Sequence, residues 1–293
     1  MTNTSKTVIF FGSGPVAADS LELLANNFDV EAVVTKPIPP HHKGTAPTEE
    51  LAKKLGITTY FAANQHELDD LIDKTGFKSK IGIVVDFGVI ISQKVINSFD
   101  LGIVNSHFSL LPQWRGADPI TFSILSGQPK TGVSLMVIDP TLDTGKLITY
   151  KSIAIDPSDT TQTLTKKLID LSNQLLLAYL PEYMNGNIKP KNQPHPDRAT
   201  YSRKLTKADA VIDWSKPAEQ LEREVRAFAG WPGSKTNINN IDIKVTKSHV
   251  SNTAESKLSI PCGDGNYLSI DELIAPSGRK VQSKDFINGY LAN

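Results

Sequence analysis

Cysteine and long apolar runs are two features that this sequence largely lacks. Cys262 is the single cysteine among 293 residues, which excludes an internal disulfide and any metal site that needs several cysteines. No apolar run approaches the roughly 18 residues that would cross a bilayer. The first run, residues 8–11, is also too short for the core of a secretory signal. We therefore expect a cytoplasmic protein without membrane association.

Net charge is absent as well, since 31 Lys and Arg residues balance 31 Asp and Glu residues. A strongly basic total would have indicated a nucleic-acid partner, and this chain gives no such signal. The charges are nevertheless unevenly distributed. Residues 1–189 contain 16 basic and 19 acidic side chains, whereas residues 190–293 contain 15 and 12. The neutral total thus averages over two surfaces, and the C-terminal one favours modest, salt-sensitive contact with phosphate.

The length of the chain favours two domains, because single hydrophobic cores stop growing at roughly 250–300 residues. Residues 186–196 contain three prolines and no apolar periodicity, which is typical of a linker. We therefore predict a larger domain over residues 1–189, a linker over 190–203 and a smaller domain over 204–293.

The two predicted domains differ in their patterns. In the first, short apolar runs near residues 8–11, 30–35, 81–85, 102–105 and 132–138 alternate with segments of helical periodicity. This alternation predicts an α/β domain with a mostly parallel sheet. In the second, residues 236–290 are short strand-like runs separated by turn residues, which predicts a small β-barrel or sandwich.

A glycine-containing turn follows the first predicted strand. Gly12, Gly14 and Ala17 have the spacing of a dinucleotide-binding turn. Such an enzyme also needs an acidic residue at the end of the second strand to hold the ribose, and Thr35 and Lys36 stand there instead. We interpret the turn as the start of a helix that faces an anionic or polar substrate.

Asn105 and His107 come at the end of a predicted buried strand. Residues two apart in a strand project from the same face, so both side chains point the same way. Strand ends are where ligands bind in open α/β sheets. Because a polar pair buried without partners would be costly, the pattern favours a site at this position.

Asp143 stands in a short loop after the predicted strand at 132–138, two residues before Gly145. A carboxylate near an imidazole orients the ring and favours its charged form, which suits proton transfer. An Asp-Thr-Gly run is also typical of a simple turn, and taken alone the pattern leaves both interpretations open.

Together these motifs resemble the folate-dependent formyltransferases. The resemblance rests on Asn105 and His107, on the run Ser109, Leu110, Leu111 and Pro112, and on the run Leu142, Asp143, Thr144 and Gly145. It implies 10-formyltetrahydrofolate as formyl donor, an amine as acceptor, and no metal. It implies catalytic roles for Asn105, His107 and Asp143. It further implies a folate-binding set of Asp86, Phe87, Gly88, Val89, Ser109, Leu110, Leu111 and Pro112.

The C-terminal part resembles the second domain of the family members that act on methionyl-tRNA. The resemblance covers residues 201–207, 212–214, 226–233 and 276–286. It implies a Rossmann-like catalytic domain followed by an OB-like β-barrel that binds tRNA. The implied function is formylation of initiator Met-tRNA for translation initiation, by a monomer. Weak contacts with tRNA are implied for Lys43, Arg203, Lys204 and Lys207.

Two other functions fit parts of the sequence. A formyltransferase for an amino-sugar nucleotide would share both catalytic motifs, although we expect it to carry a different second domain. A non-catalytic RNA-binding module would have no need of Asn105, His107 and Asp143 together. The sequence also departs from the family, with Asp86 and Phe87 where a small residue and a tyrosine are typical, and with a short loop at 36–47 that lacks arginine.

Overall fold

The computed structural model describes residues 6–38 and 46–291. The chain forms two compact units that interleave along the sequence. Unit 1 contains Met1–Ala117, Thr131–Ile153 and Thr165–Tyr201, and unit 2 contains Asp118–Lys130, Ala154–Leu164 and Ser202–Asn293. Because this division follows packing and not sequence order, the domain limits at residues 189 and 203 stay a prediction.

Strands and helices alternate along the first part of the chain. In order they are β1 (Thr7–Gly12), α1 (Pro15–Asn27), β2 (Asp29–Thr35), α2 (Pro47–Lys54), β3 (Thr59–Phe61), α3 (Gln65–Thr75), β4 (Gly82–Val85), α4 (Gln93–Asn97), β5 (Ile103–His107), β6 (Arg115–Gly116), α5 (Pro119–Leu125), β7 (Lys130–Val137), β8 (Leu147–Ala154) and α6 (Thr161–Met184).

Short strands predominate in the rest of the chain, together with two 3-10 turns at Pro196–Arg198 and Lys207–Ala210. The elements are β9 (Tyr201–Ser202), α7 (Ala218–Ala227), β10 (Ser234–Ile238), β11 (Ile241–Ser251), β12 (Ser259–Pro261), β13 (Tyr267–Ile274), β14 (Lys280–Gln282) and α8 (Ser283–Tyr290).

Unit 1 is built on a seven-stranded sheet in the order β3-β2-β1-β4-β5-β7-β8. Neighbouring strands from β3 to β5 run parallel, and β7 runs antiparallel to β5. Val8, Ile9, Phe10 and Phe11 of the central strand are all fully buried. A strand buried on both faces is the mark of a parallel sheet covered by helices. The predicted Rossmann-like α/β fold is confirmed.

Local sequence signals explain where the helices begin and end. Asn64 caps α3, since its side chain accepts a hydrogen bond from the Glu67 N–H while the Glu67 carboxylate accepts one from the Ala63 N–H. The helix ends at Gly76, whose φ of 56° is left-handed and suits glycine. Prolines open α1, α2 and α5. Within the described ranges, no helix has the length and apolarity to cross a membrane.

The pairing of β5 with β7 sets the frame for the residues at the end of β5. His107 lies opposite Ser134 in the middle of β7, whereas Val104 lies opposite Val137 at its end. The chain therefore leaves β7 beside the beginning of β5. A loop that follows β7 must turn back along β5 to reach His107.

Unit 2 contains a five-stranded sheet in the order β10-β11-β13-β12, with β14 paired to β13, and all its pairs are antiparallel. The register of β11 shifts twice between Val245 and Ser248, and such bulges bend a strand. The sheet shares one core with α7 and α8, in which Leu221, Leu268 and Phe286 are buried. The predicted small barrel is confirmed as an OB-like half-barrel.

An ion cluster crosses β11 and β13 on the surface of unit 2. The Nδ1 of His249 lies 2.8 Å from Asp271, and its Nε2 lies 2.8 Å from Glu255. Since carboxylate oxygens accept hydrogen bonds, both ring nitrogens donate and the imidazole is charged. The hydrogen bond to Glu255, and then the one to Asp271, raises the pKa of His249.

A raised pKa in the folded state makes this cluster a pH-dependent source of stability. Its contribution is fully present below the ordinary histidine value of 6.5 and is lost as pH rises through the folded-state pKa. We predict that His249→Gln lowers the Tm more at about pH 5.5 than at about pH 9, by scanning calorimetry. His66→Gln is the comparison, because that ring lies within ion-pair range of Asp70, at 3.6 Å, but makes no hydrogen bond to it and is 85% exposed, so we expect a smaller change in Tm. An equal effect of His249→Gln at both pH values would contradict the assignment.

Candidate active site

Asn105 and His107 lie on one face at the end of β5, as their spacing predicts. Ser106 between them points to the opposite side, where its hydroxyl lies 2.7 Å from that of Ser172 in the core. His107 is buried, with 6% of its surface exposed, and Asn105 is partly exposed. The Asn105 amide makes no hydrogen bond with any residue in the described part of the chain. Both of its N–H groups are therefore available to a ligand.

The two ring nitrogens of His107 have different surroundings. Nε2 lies 2.9 Å from the carbonyl oxygen of Trp114. Since a carbonyl only accepts hydrogen bonds, Nε2 carries a hydrogen. Nδ1 lies 3.7 Å from Oδ2 of Asp143, which is within ion-pair range but too long for a hydrogen bond. Nδ1 is therefore the nitrogen that can gain or lose a proton without breaking a bond to the protein.

The loop after β7 turns back along β5 and brings Asp143 to His107. The backbone at Asp143 has a left-handed φ of 52°, an uncommon conformation for a residue other than glycine. Its Oδ2 accepts a hydrogen bond of 2.7 Å from the Gly116 N–H, and only 13% of the side chain is exposed. Gly145 lies so close to β7 that an added Cβ would stand 1.8 Å from the Val137 oxygen.

Gln193 is a residue of this site that no motif in the sequence indicates. Its side-chain N–H groups donate to the carbonyl oxygens of Asp143 at 2.7 Å and Gly145 at 3.0 Å. Its side-chain oxygen accepts a hydrogen bond of 2.7 Å from Nη2 of Arg115. Gln193 stands in the proline-containing stretch that predicts a linker, so no signal in the sequence distinguishes it from its exposed neighbours.

The run from Ser109 to Pro112 is anchored on β7. The hydroxyl of Ser134 donates to the Ser109 carbonyl at 2.7 Å and accepts from the Leu111 N–H at 3.1 Å. Ser109, Leu111 and Pro112 are buried, whereas Leu110 is partly exposed. The run is thus a fixed segment in which Leu110 presents the most side-chain surface.

The loop after β4 places Asp86, Phe87, Gly88 and Val89 in different surroundings. The Asp86 carbonyl accepts a 2.9 Å hydrogen bond from the Ser13 N–H, and Asp86 and Gly88 are exposed. Phe87 is buried edge-on against Phe11, with ring centroids 5.6 Å apart. Val89 is partly buried against the same core. Phe87 can therefore offer a ligand only its backbone.

The predicted basic residues also differ in their surroundings. Lys43 lies outside the described residues. The Arg203 guanidinium is bound by both carboxylate oxygens of Asp209. This bond raises the pKa of Arg203 and holds the pKa of Asp209 well below its usual range. Lys204 and Lys207 are exposed.

Metal-ligating side chains and a cleft in unit 2 are the other features of the described residues that bear on function. No three His, Cys, Asp or Glu side chains there are placed to hold a metal ion. Unit 2 has an open cleft of about 330 Å³, and neither Asn105 nor His107 is among the residues that line it. Within it, Arg226 is paired with Glu222 at 2.7 Å.

Comparison with protein families gives two matches. The family described as "Formyl transferase" matches residues 5–180, and "Formyl transferase, C-terminal domain" matches residues 204–291. The first match contains Asn105, His107 and Asp143.

Among similar proteins are two methionyl-tRNA formyltransferases. The protein of Acidovorax ebreus (strain TPSY) is 33% identical, over 97% of this chain and 96% of its own length. That of Myxococcus xanthus (strain DK1622) is 32% identical, over 97% and 95%.

A solved structure shares the fold over most of the chain. It is an N-formyltransferase from Helicobacter canadensis in complex with folinic acid and dTDP-3-aminofucose. It superposes with a TM-score of 0.69 at 20% identity, over 90% of this chain and 98% of that one. Because one family model spans more than half of the chain and the sequence relatives span nearly all of it, the chain belongs to the formyl transferase family.

Proposed function

We propose that the protein transfers the formyl group of 10-formyltetrahydrofolate to the methionyl amine of initiator Met-tRNA, in support of translation initiation in the cytoplasm. The observation that carries this proposal is the 32–33% identity with methionyl-tRNA formyltransferases over 97% of the chain. Asn105, His107 and Asp143 supply the polar groups that the reaction needs. The acting unit is the single chain, a monomer.

The donor is assigned to two segments of unit 1. Folinic acid in the solved N-formyltransferase supports a folate-derived formyl donor. In the segment from Asp86 to Val89, the exposed backbone at Gly88 and the Asp86 carboxylate are the groups within reach, because Phe87 is buried. In the segment from Ser109 to Pro112, the partly exposed Leu110 offers apolar contact to an aromatic ring of the folate.

Asn105 is assigned to the oxygen on which charge develops. When a neutral amine attacks the formyl carbon, negative charge forms on the formyl oxygen. A fixed N–H donor aimed at that oxygen stabilises the transition state more than the ground state. The amide of Asn105, which has no partner in the described residues, is such a donor. Nδ1 of His107, on the same face, becomes a second donor once it has taken up the proton of the attacking amine.

His107 and Asp143 are assigned to the movement of protons. The attacking amine must lose a proton, and the folate nitrogen must gain one as its bond to the formyl carbon breaks. Nδ1 of His107 is the relay atom, since Nε2 is bound to the Trp114 carbonyl. The Asp143 carboxylate, 3.7 Å from Nδ1, stabilises the imidazolium that forms. The Gly116 N–H keeps that carboxylate in place.

Contact with tRNA phosphate is assigned to basic side chains, most of which stand at or just after the end of the predicted linker. Lys204 and Lys207 are exposed and form no ion pair within the described ranges. Arg203 contributes less, because Asp209 already neutralises it. Lys43 is kept in the proposal from the sequence alone.

An amino-sugar nucleotide is the alternative acceptor. The structure with dTDP-3-aminofucose shares the fold over 90% of this chain, so the fold alone does not decide between the two acceptors. The choice therefore rests on sequence identity, which is 32–33% for the methionyl-tRNA enzymes and 20% for the aminofucose complex.

A competition assay tests the acceptor. With 10-formyltetrahydrofolate as donor and equal amounts of initiator Met-tRNA and dTDP-3-aminofucose, we expect formylmethionine on the tRNA and little formylated sugar, both measured by mass spectrometry. N-acetylated Met-tRNA is the control, because its amine cannot attack. Formylation of the sugar alone would overturn the proposal, as would tRNA binding without formylation of either acceptor.

Replacing Asn105 tests the oxyanion assignment. Asn105→Ala removes one donor to the developing charge, and we expect kcat to fall about 10²- to 10³-fold with little change in Tm. Asn97→Ala, an exposed amide on α4, is the matched control and should keep wild-type activity. Near-normal turnover by Asn105→Ala would remove Asn105 from the mechanism.

Replacing Asp143 tests the proton relay. In Asp143→Asn the side-chain oxygen can still accept from the Gly116 N–H, but the negative charge facing His107 is lost. We expect kcat to fall by about 10²-fold or more, and its dependence on pH to change shape. Rates measured from about pH 5.5 to 9 give both results. A full rate with an unaltered profile would mean that Asp143 only shapes the turn.

A further inference from the structure

Residues 191–200, which we call the strap, make main-chain contacts with the catalytic loops of unit 1. At one end, the N–H and carbonyl of Lys191 exchange hydrogen bonds of 2.9 and 2.7 Å with Leu147, just after the Asp143 loop. At the other end, the Thr200 carbonyl accepts from the Arg115 N–H at 2.9 Å, and its hydroxyl accepts from the Trp114 N–H at 2.9 Å. The strap is therefore tied to both loops that surround His107.

Gln193 is the one buried side chain of the strap, with 7% of its surface exposed. Both hydrogens of its amide nitrogen are used, one on the Asp143 carbonyl and one on the Gly145 carbonyl. Its oxygen accepts from Arg115. A buried amide with these three bonds is satisfied and has one preferred orientation.

These bonds act on both partners of the hydrogen bond that holds the Asp143 carboxylate. The carboxylate accepts from the Gly116 N–H, and Gly116 directly follows Arg115. Gln193 therefore holds the backbone of Asp143, whose carboxylate is the acceptor. It also holds the side chain of Arg115, the residue before the donor Gly116. The left-handed conformation of Asp143 needs such support, because residues in sparsely populated regions persist where their surroundings determine them.

We propose that Gln193 is a positioning residue, which sets the distance between Asp143 and Nδ1 of His107 by fixing the backbone of the Asp143 loop. The expected fall in kcat rests on the proposed function. The effect of Gln193 on the distance between Asp143 and His107 does not. Gln193 touches neither reacting group and acts only through Asp143.

Two variants separate this role from a merely structural one. Gln193→Leu keeps the approximate size and removes all three hydrogen bonds. Gln193→Glu keeps an acceptor for Arg115 but turns a carboxylate towards the Asp143 and Gly145 carbonyls, which it cannot bond. We expect kcat to fall about 10- to 10²-fold in both variants, as for misplaced catalytic groups, with a small change in KM for the donor. Gln65→Leu, an exposed glutamine on α3, is the matched control.

A double-mutant cycle tests whether the effect passes through Asp143. In the Asp143→Asn background, Gln193→Glu should cost less than about threefold in kcat, because the group it positions no longer carries charge. A full additional loss would overturn the proposal, as would Gln193→Glu with wild-type kcat. Gln193→Glu also serves if Gln193→Leu does not fold.

A measurement without substrates distinguishes failure of this proposal from failure of the proposed function. We expect the ¹⁵N shifts of the His107 ring to change in Gln193→Glu and to stay unchanged in Gln65→Leu. Changed shifts in a protein that formylates neither acceptor would support the positioning role and refute the function. Unchanged shifts in an active wild type would leave the function in place and refute the role of Gln193.

Discussion

A carboxylate held 3.7 Å from a buried imidazole, too far for a hydrogen bond, is the interaction around which this site is built. The side chains of His107 and Asp143 are both largely removed from water, so their polar atoms need partners within the protein. The Gly116 N–H compensates the carboxylate, and the Trp114 carbonyl accepts from the imidazole. Because these bonds use fixed backbone groups, Nδ1 is the ring nitrogen that keeps no hydrogen bond to the described residues, and it is the atom to which the proposed relay assigns the proton.

The topology of the sheet explains why this interaction needs so much support. Since β7 is antiparallel to β5, it ends beside Val104 at the start of β5, whereas His107 lies at the other end of that strand. The following loop must reverse its direction within a few residues. The left-handed backbone at Asp143 and the close approach at Gly145 accomplish that reversal. Residues remote in sequence then hold the loop, which is why Gln193 contacts it across 50 positions.

The sequence predicts the parts of this arrangement that have a local cause. Alternation along β5 places Asn105 and His107 on one face, and continuous apolar runs identify the buried parallel strands. The edge strand β8 (Leu147–Ala154) escapes detection because much of it is exposed and has no apolar run. The antiparallel direction of β7 could not be predicted, because a buried strand has the same apolar composition in either direction. The contacts of Gln193 could not be predicted, because they are tertiary and because the prolines around it indicate a linker.

Acceptor choice cannot reside in the features that the family shares. The fold extends over 90% of the chain to an N-formyltransferase complexed with dTDP-3-aminofucose, at 20% identity. Surface charge in the described part of unit 2 is a feature that bears on this choice. Pairing with Asp209 removes Arg203 from the cations open to phosphate, whereas Lys204 and Lys207 remain open. For B-DNA, each phosphate that a cation neutralises steepens the fall of log K with log salt concentration by about 0.9, so contacts made by a few lysines are sensitive to salt. A chain with no net charge can therefore still present unpaired positive charge locally.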